Sequence, residues 1–388
     1  MLTKIPVAGP AWLVVHYMEA LRRLGYDPWY VEAHSRTPSM FIRKPGDDGS
    51  ARAAQFLDRV LGRFGFGDRW AFHALHEGGR VYGLSEARLR RLYRSAEFIF
   101  NLHGGTIPTE EQAAGGRLVY VETDPVELQV ELHGGSQQAW SFIEPHAAFF
   151  TWGLNYGSPD CRVPQPDGYS FVPSPPPVLM DEWSEHRRPA AGPFTTVGNW
   201  EQSWRDVVLD GVTYHWSKHF EFMKVLDLPS RTSAPLELAL SSYRDEDREL
   251  LEEHGWRVRH ALDFSSDLDA YRTYIQLSRG EFSVAKDQNV RLRSGWFSER
   301  SATYLAAGRP VVVQDTGFGS FLPTGAGLLT FSTVDEAAGA LEAVAADYES
   351  HSRAATDIAR EYLDAERVVG QMLERLGANT RATAADRS

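Results

Sequence analysis

The sequence predicts an α/β protein of two Rossmann-like domains facing a cleft, with a C-terminal helix crossing back over both. Three observations carry that expectation. Helical and strand patterns alternate through both halves, as in parallel sheets with crossover helices. Seven prolines stand between Pro159 and Pro177, ending in PSPPP, which reads as a stiff connection barred from a sheet interior. The 388 residues suit two domains at about 150 residues each. The domains are placed at 1–180 and 190–376, followed by a polar tail, 377–388, expected to be disordered.

The elements follow in order. Residues 11–24 (AWLVVHYMEALRRL) form an amphipathic helix stopped by Gly25; His16, Glu19, Arg22 and Arg23 make it neither a signal peptide nor a membrane span. His16 reads as structural. A strand at 28–32 and a polar loop at 35–50 come next, then helices near 51–64 and 85–95. Strands are expected at 97–102, 117–122 and 148–152. In the second half they fall from Phe194 (FTTVG) and at 235–241, 256–260, 282–285 and 310–314. Helices near 217–226, 244–254, 266–278 and 333–348 lie between them, and a last helix at about 350–376 is long enough to reach back. The opening strand of a Rossmann-like unit should precede Lys4, where only Met1 to Thr3 stand. Either that strand is very short or the start is placed too late.

Composition narrows the partners. A net charge of −12 argues against nucleic acid, since phosphate backbones need a basic face. Cys161 is the sole cysteine, which excludes an internal disulfide and a cysteine metal site and fits a reducing cytoplasm. No apolar run approaches the roughly 18 residues of a span. A homodimer is left open.

The stretch RSGWFSERSATYLAAGRPVVVQDTGFG, Arg293 to Gly319, is the most informative. Ser298 is a good N-cap, leaving first-turn N–H groups and a positive helix end for an anion. Arg291, Arg293 and Arg300 supply guanidinium forks suited to phosphate oxygens. Gly308 and Pro310 end the helix, and Val311 to Val313 make a short buried strand. The pattern reads as a nucleoside-diphosphate cradle built by Arg293, Ser294, Gly295, Trp296, Phe297, Ser298, Arg300 and Ser301.

The segments KIPVAGPAW, NLHGGT, SGWFSERS, YLAAGRPVV and QDTGF resemble bacterial GT-B glycosyltransferases that use nucleotide-activated sugars. The resemblance covers most of the chain and is strongest over 280–330. It implies a donor site on the C-terminal half, an acceptor site on the N-terminal half, and no metal or other cofactor beyond the nucleotide-sugar substrate. Gly295 and Thr303 stand where retaining members carry two glutamates, a departure from that pattern.

On the donor side, Gly198 and Asn199 follow the first C-terminal strand, and Lys218 is the match for a phosphate-gripping lysine. Asp315 and Thr316, just past VVVQ, suit sugar hydroxyls. On the acceptor side, His103 and Asp124 follow adjacent strands and are the candidates for general base and its orienter. Gly9, Pro10, Trp12, Gly104 and Gly105 are expected to shape the acceptor pocket. The function expected is transfer of a hexose from a nucleoside-diphosphate donor to a small-molecule or glycan hydroxyl. The alternatives are a nucleotide-sugar 2-epimerase of the same fold and a non-catalytic nucleotide-sugar-binding relative. A dehydrogenase is disfavoured because no G-x-G-x-x-G follows a strand.

Overall fold

Alternation of β-branched and aromatic runs with capped helices produces two stacked α/β halves, seen in a computed structural model that describes residues 2–184, 192–202 and 205–377. The tail expected from Ala378 onward lies outside the described residues. In the N-terminal half, β1 (Tyr30–His34) pairs in parallel with β2 (Trp70–Ala74), and β3 (Arg80–Tyr82) returns antiparallel. A second, wholly parallel sheet follows, in the order β4 (Ile99–Leu102), β5 (Leu118–Glu122), β6 (Ala148–Thr151), β7 (Phe171–Pro173). All five residues of β5, LVYVE, are buried, as a parallel strand covered on both faces requires.

In the C-terminal half, β8 (Phe194–Asn199) opens the sheet, and β9 (Val207–Leu209) with β10 (Val212–Tyr214) forms a separate hairpin. Then come β11 (Leu236–Ser241), β12 (Arg257–His260), β13 (Gly280–Ser283), β14 (Val311–Gln314) and β15 (Leu328–Phe331). The main sheet is parallel throughout, ordered β12-β11-β8-β13-β14-β15. The strand order switches between β8 and β13, so the crevice outside their C-terminal ends is where this architecture binds ligands.

Three departures from the sequence reading have physical causes. The proline stretch is not only a connection, because Phe171–Pro173 within it is β7. It sits at the sheet edge, where proline's missing N–H costs nothing, and Ser174 N–H still reaches the Thr151 carbonyl at 2.8 Å. The single terminal helix expected at 350–376 is three pieces: helix Tyr348–Ile358, a π-turn Ala359–Leu363 and helix Ala365–Arg375. The break falls where Val178 wedges in as a bridge, its N–H bonding the Leu363 carbonyl at 2.8 Å and its carbonyl taking the Ala365 N–H at 2.9 Å. Asp364 then caps the last helix by accepting from Arg367 N–H at 3.1 Å. Strands β2, β3 and β15 and the β9–β10 hairpin had no expectation; three to five residues give too short a run for periodicity to register.

One apolar core runs through both halves. Trp12, expected in the acceptor pocket, is 1% exposed and donates its indole N–H to the Leu268 carbonyl of the other half at 3.3 Å. It is a packing residue. His16 is also structural: it accepts from the Trp183 indole at 3.1 Å, and burial lowers its pKa to about 3.

Candidate active site

The C-terminal ends of the parallel strands of both halves meet across one cleft. From the N-terminal half come the loop before helix Ala8–Arg23, His103 after β4 and Thr123–Asp124 after β5. Opposite them stand Lys218, Lys286 just beyond β13, Trp296 and the start of helix Glu299–Ala306. Gly9 confronts that helix start directly: a Cβ on it would lie 3.6 Å from the Tyr271 hydroxyl and 4.0 Å from the Glu299 carboxylate. Trp296 donates its indole N–H to the Thr123 carbonyl at 3.2 Å, and Lys286 grips both Asp124 oxygens at 2.8 and 2.6 Å. Both bonds cross between the halves.

Positive charge is concentrated here despite the acidic whole. Lys286, 6% exposed, lies 2.9 Å from the centre of the Trp216 ring, over which Arg205 also sits at 4.2 Å. Arg205 pairs with Glu127 at 2.7 Å and lies 3.9 Å from Asp124. Burial lowers the Lys286 ammonium to about 8, against the pull of Asp124. Lys218 differs from these. Its ammonium stands 5.2 Å from the Trp296 ring and, among the described residues, has no ion pair or hydrogen bond. Burial, then the neighbouring Arg300 and Lys286 charges, lower it to about 7.

The expected diphosphate cradle is corrected in several parts. Arg300 is not an open fork: it donates to Glu281 at 2.7 Å, to the Val197 carbonyl at 2.6 Å and to Ser283 at 3.0 Å, and is 8% exposed. Arg293 is held by Asp160 at 2.6 Å and Asp315 at 3.1 Å, and Arg291 by Asp287 at 3.1 Å. The Ser294–Gly295 loop is a seam between halves rather than a phosphate loop. Leu154 and Asn155 N–H groups bond the Gly295 and Ser294 carbonyls at 3.3 Å each, and Gly295 N–H bonds Thr316 O at 2.7 Å. Gly295 has φ +79°, and a Cβ there would strike the Asn155 backbone nitrogen, so only glycine closes this seam. Ser294 donates to Asn289 at 2.9 Å, Thr316 donates to the Trp296 carbonyl at 2.8 Å, and Phe297 packs edge-on against Phe318. Asp315 also takes the Gly317 N–H at 2.8 Å.

Ser298 does cap its helix as expected, accepting from Arg300 N–H at 3.2 Å. A small cavity of about 10 Å³ lies beside Ser298 and Ser301. Of the donor-side candidates, Gly198, Asn199, Lys218, Arg293, Trp296 and Asp315 keep partial exposure. Asn199 accepts from Ser241.

On the acceptor side, Gly9 and Pro10 are half-buried in the first helical turn and Gly105 is exposed. Gly104 backs onto Phe142. His103 is held through Nδ1 by Thr123, and its buried Nε2 has no partner among the described residues. Burial lowers its pKa to about 3, so it is neutral at physiological pH. His103 and Asp124 do share one end of the sheet, but it is Lys286 that holds Asp124. Sequence reasoning missed Lys286, Arg205, Trp216 and Glu299. Lys286 follows a strand end just as Asp124 does, and that signal was available.

Beneath Asp124, the Glu122 carboxyl is 1% exposed and accepts from Thr151 at 2.6 Å and Gln129 at 2.7 Å. Burial raises its pKa from 4.5 to about 8. A raised acid favours folding while protonated, so its stabilising contribution is full below 4.5 and is lost as pH rises through about 8. Glu122→Gln should flatten the fall in melting temperature across that window; a slope identical to wild type would refute the assignment.

Among the described residues, no group of three or more His, Cys, Asp or Glu side chains is placed to hold a metal ion, and no helix is long and apolar enough to cross a membrane. No protein-family model and no curated protein matches the sequence. Solved structures do match. The chain is similar to an alpha-glucosyltransferase (AGT) in complex with UDP, with TM-score 0.55 at 10% identity over 95% of this chain and 96% of that one. It is also similar to an alpha-glucosyltransferase in complex with UDP-glucose and DNA containing an abasic site, with TM-score 0.50 at 8% identity over 90% and 98%. AviGT4, a glycosyltransferase involved in avilamycin A biosynthesis, aligns at TM-score 0.47 and 14% identity over 90% and 97%. With the two facing parallel-sheet halves described above, the likeness to the first two establishes the architecture: this chain has the GT-B fold.

Proposed function

We propose that the protein is a glycosyltransferase that moves a hexose from a nucleoside-diphosphate donor to an acceptor hydroxyl without a metal ion. The observation that carries the reading is Lys218, a half-buried cation in the cleft with no ion pair or hydrogen bond among the described residues, in a protein of net charge −12. A buried charge left unpaired is costly, and an anionic ligand removes that cost. The alpha-glucosyltransferase neighbours are described with UDP and UDP-glucose, and this reading assigns the same donor class here. One neighbour also holds DNA, a partner that the acidic surface of this chain disfavours.

As the glycosyl bond breaks, negative charge builds on the departing diphosphate, and Lys218 and Lys286 stand where that charge develops. In this proposal the phosphate replaces Asp124 as the partner of Lys286. Donor binding thereby frees a carboxylate to accept the proton of the acceptor hydroxyl. His103, held through Nδ1 by Thr123 and with its Nε2 free of partners among the described residues, is the alternative base. The Trp296–Thr123 bond crosses between the halves beside Lys218, and in this reading it parts when the donor binds. The single thiol, Cys161, suits the cytoplasm.

A thermal-shift screen with UDP, dTDP, GDP and ADP tests the donor site. At one hundred times its dissociation constant the correct ligand adds about 2.7 kcal/mol of stability, and silence from all four sinks the proposal. Asp124→Asn is expected to cut turnover by about 10²–10⁴ while nucleotide binding persists, whereas His103→Ala should cost under about tenfold. The reverse ranking would return the base to His103. An isomerised sugar released with nucleoside diphosphate in the absence of acceptor would favour the epimerase instead.

A further inference from the structure

A second positive cluster, apart from Lys218 and Lys286, stands on the N-terminal side of the cleft. Thr3 is buried, and its Oγ1 lies 2.7 Å from Nε2 of His34, the last residue of β1. That contact holds the loop after Thr3 against the end of β1. Lys4 follows Thr3 directly and Arg36 stands two residues after His34, so both emerge at this contact. Glu32 and His34 share the walls of one cavity with His103, which brings the end of β4 to the same place.

The carboxylates nearby are already committed. Glu32 accepts from the Leu2 and Thr3 N–H groups, the latter at 3.2 Å, and from the Thr3 and Tyr30 hydroxyls. Asp124 is gripped by Lys286, and Glu127 by Arg205 at 2.7 Å. Among the described residues, the side chains of Lys4 and Arg36 have neither an ion pair nor a hydrogen bond, although Lys4 is half-buried. Burial, then the Arg36 charge and more weakly that of Arg205, lower the Lys4 ammonium from its ordinary value against the pull of Glu32. Like charges gathered in this way repel one another, and an anion bound among them removes that cost.

We infer that Lys4 and Arg36 form an anion subsite for the acceptor, so that the hydroxyl substrate carries a phosphate or a carboxylate. The inference rests on the transferase reading above and deepens it by naming the acceptor class. Lys218 and Lys286 are carried by the C-terminal half and face the donor diphosphate. Lys4 and Arg36 are carried by the N-terminal half, and a neutral acceptor leaves both unpaired. The planar guanidinium matches either oxyanion through two parallel hydrogen bonds, and the ammonium adds a point charge. Anchoring the acceptor by its charged end fixes where its hydroxyl falls relative to Asp124 and His103, which makes these two cations positioning residues.

Isothermal calorimetry with glucose 6-phosphate, glucuronate and glucose tests the subsite. Both anions should bind the wild-type protein at least about tenfold more tightly than glucose, the difference that one charge-assisted bond supplies. Added salt should shrink that preference. Lys4→Met with Arg36→Met should abolish it while the response to UDP, dTDP, GDP and ADP stays as in wild type. Arg36→Met alone changes an exposed side chain, carries little folding cost and should already weaken the preference. Lys4→Arg with Arg36→Lys conserves both charges and should keep it. Lys218→Met should keep it too, because the acceptor side is then read with the donor lysine gone. Loss of the preference in Lys218→Met but not in the double methionine variant would assign the anion to the donor side and overturn the inference. Equal affinity of the wild-type protein for glucose and glucose 6-phosphate would overturn it as well. Silence toward all four nucleotides with the anion preference intact would sink the transferase reading and leave the anion site standing, so the two failures are told apart.

Discussion

Lys218→Met is expected to cut stabilisation by nucleoside diphosphates sharply at a fixed ligand concentration while leaving the melting temperature of the free protein unchanged or higher. The substitution removes a half-buried cation that has no partner among the described residues and keeps the apolar stem that lies along Trp296. A charge-assisted bond to phosphate contributes about 1.5–3 kcal/mol, so its loss should weaken binding by about 10- to 150-fold. The wild-type protein should also show a pH signature. A diphosphate selects the protonated ammonium, and the free group titrates near 7. Affinity should therefore fall by up to about tenfold for each pH unit above 7, as the fraction of charged Lys218 falls, and the variant should lack this component. Isothermal calorimetry between pH 6 and 9 reads both effects. Undiminished nucleotide binding by the variant would remove Lys218 from the site and, with it, the main support for the function.

Arg300→Met should behave in the opposite way, damaging the fold rather than acting first on ligand contact. Glu281 is wholly buried, one of its oxygens bonds Arg300 at 2.7 Å, and the other has no partner among the described residues. Stripping the guanidinium strands a carboxylate in the core beneath β13 and β8. Breaking such a pair costs about 3–5 kcal/mol, while replacing both members with apolar residues is often close to neutral. The single variant should lose on the order of 10 °C in melting temperature, and Arg300→Met with Glu281→Met should recover most of it. A single variant that melts like wild type yet no longer binds nucleotide would instead restore Arg300 as a phosphate ligand.

These two residues show where reading the chain succeeds and where it stops. Arg300 has the local setting of a phosphate ligand, one turn into a capped helix after a serine–glycine loop. Its partners lie 19 and 17 residues away at Glu281 and Ser283 and 103 away at Val197. Nothing local distinguishes a fork aimed at solvent from one consumed by a neighbouring strand. Lys218 was read as a phosphate-side candidate, and only the assembled cleft shows that it has no ion pair among the described residues and stands over the Trp296 ring. Trp12 misled for the same reason: an aromatic near a glycine–proline loop suits a pocket, and the contact with Leu268 that buries it spans 256 residues.

By itself the sequence determined the α/β class, the order of its longer strands and helices, the Ser298 cap and the structural role of His16. Those features are written in periodicity, capping chemistry and turn residues within a few positions of one another. Tertiary structure alone decided which charges are spent and which remain available, that Asp124 faces Lys286, and that a proline segment becomes an edge strand. Each of these depends on groups brought together from distant parts of the chain, and burial fixes the electrostatic consequence only once the halves have packed.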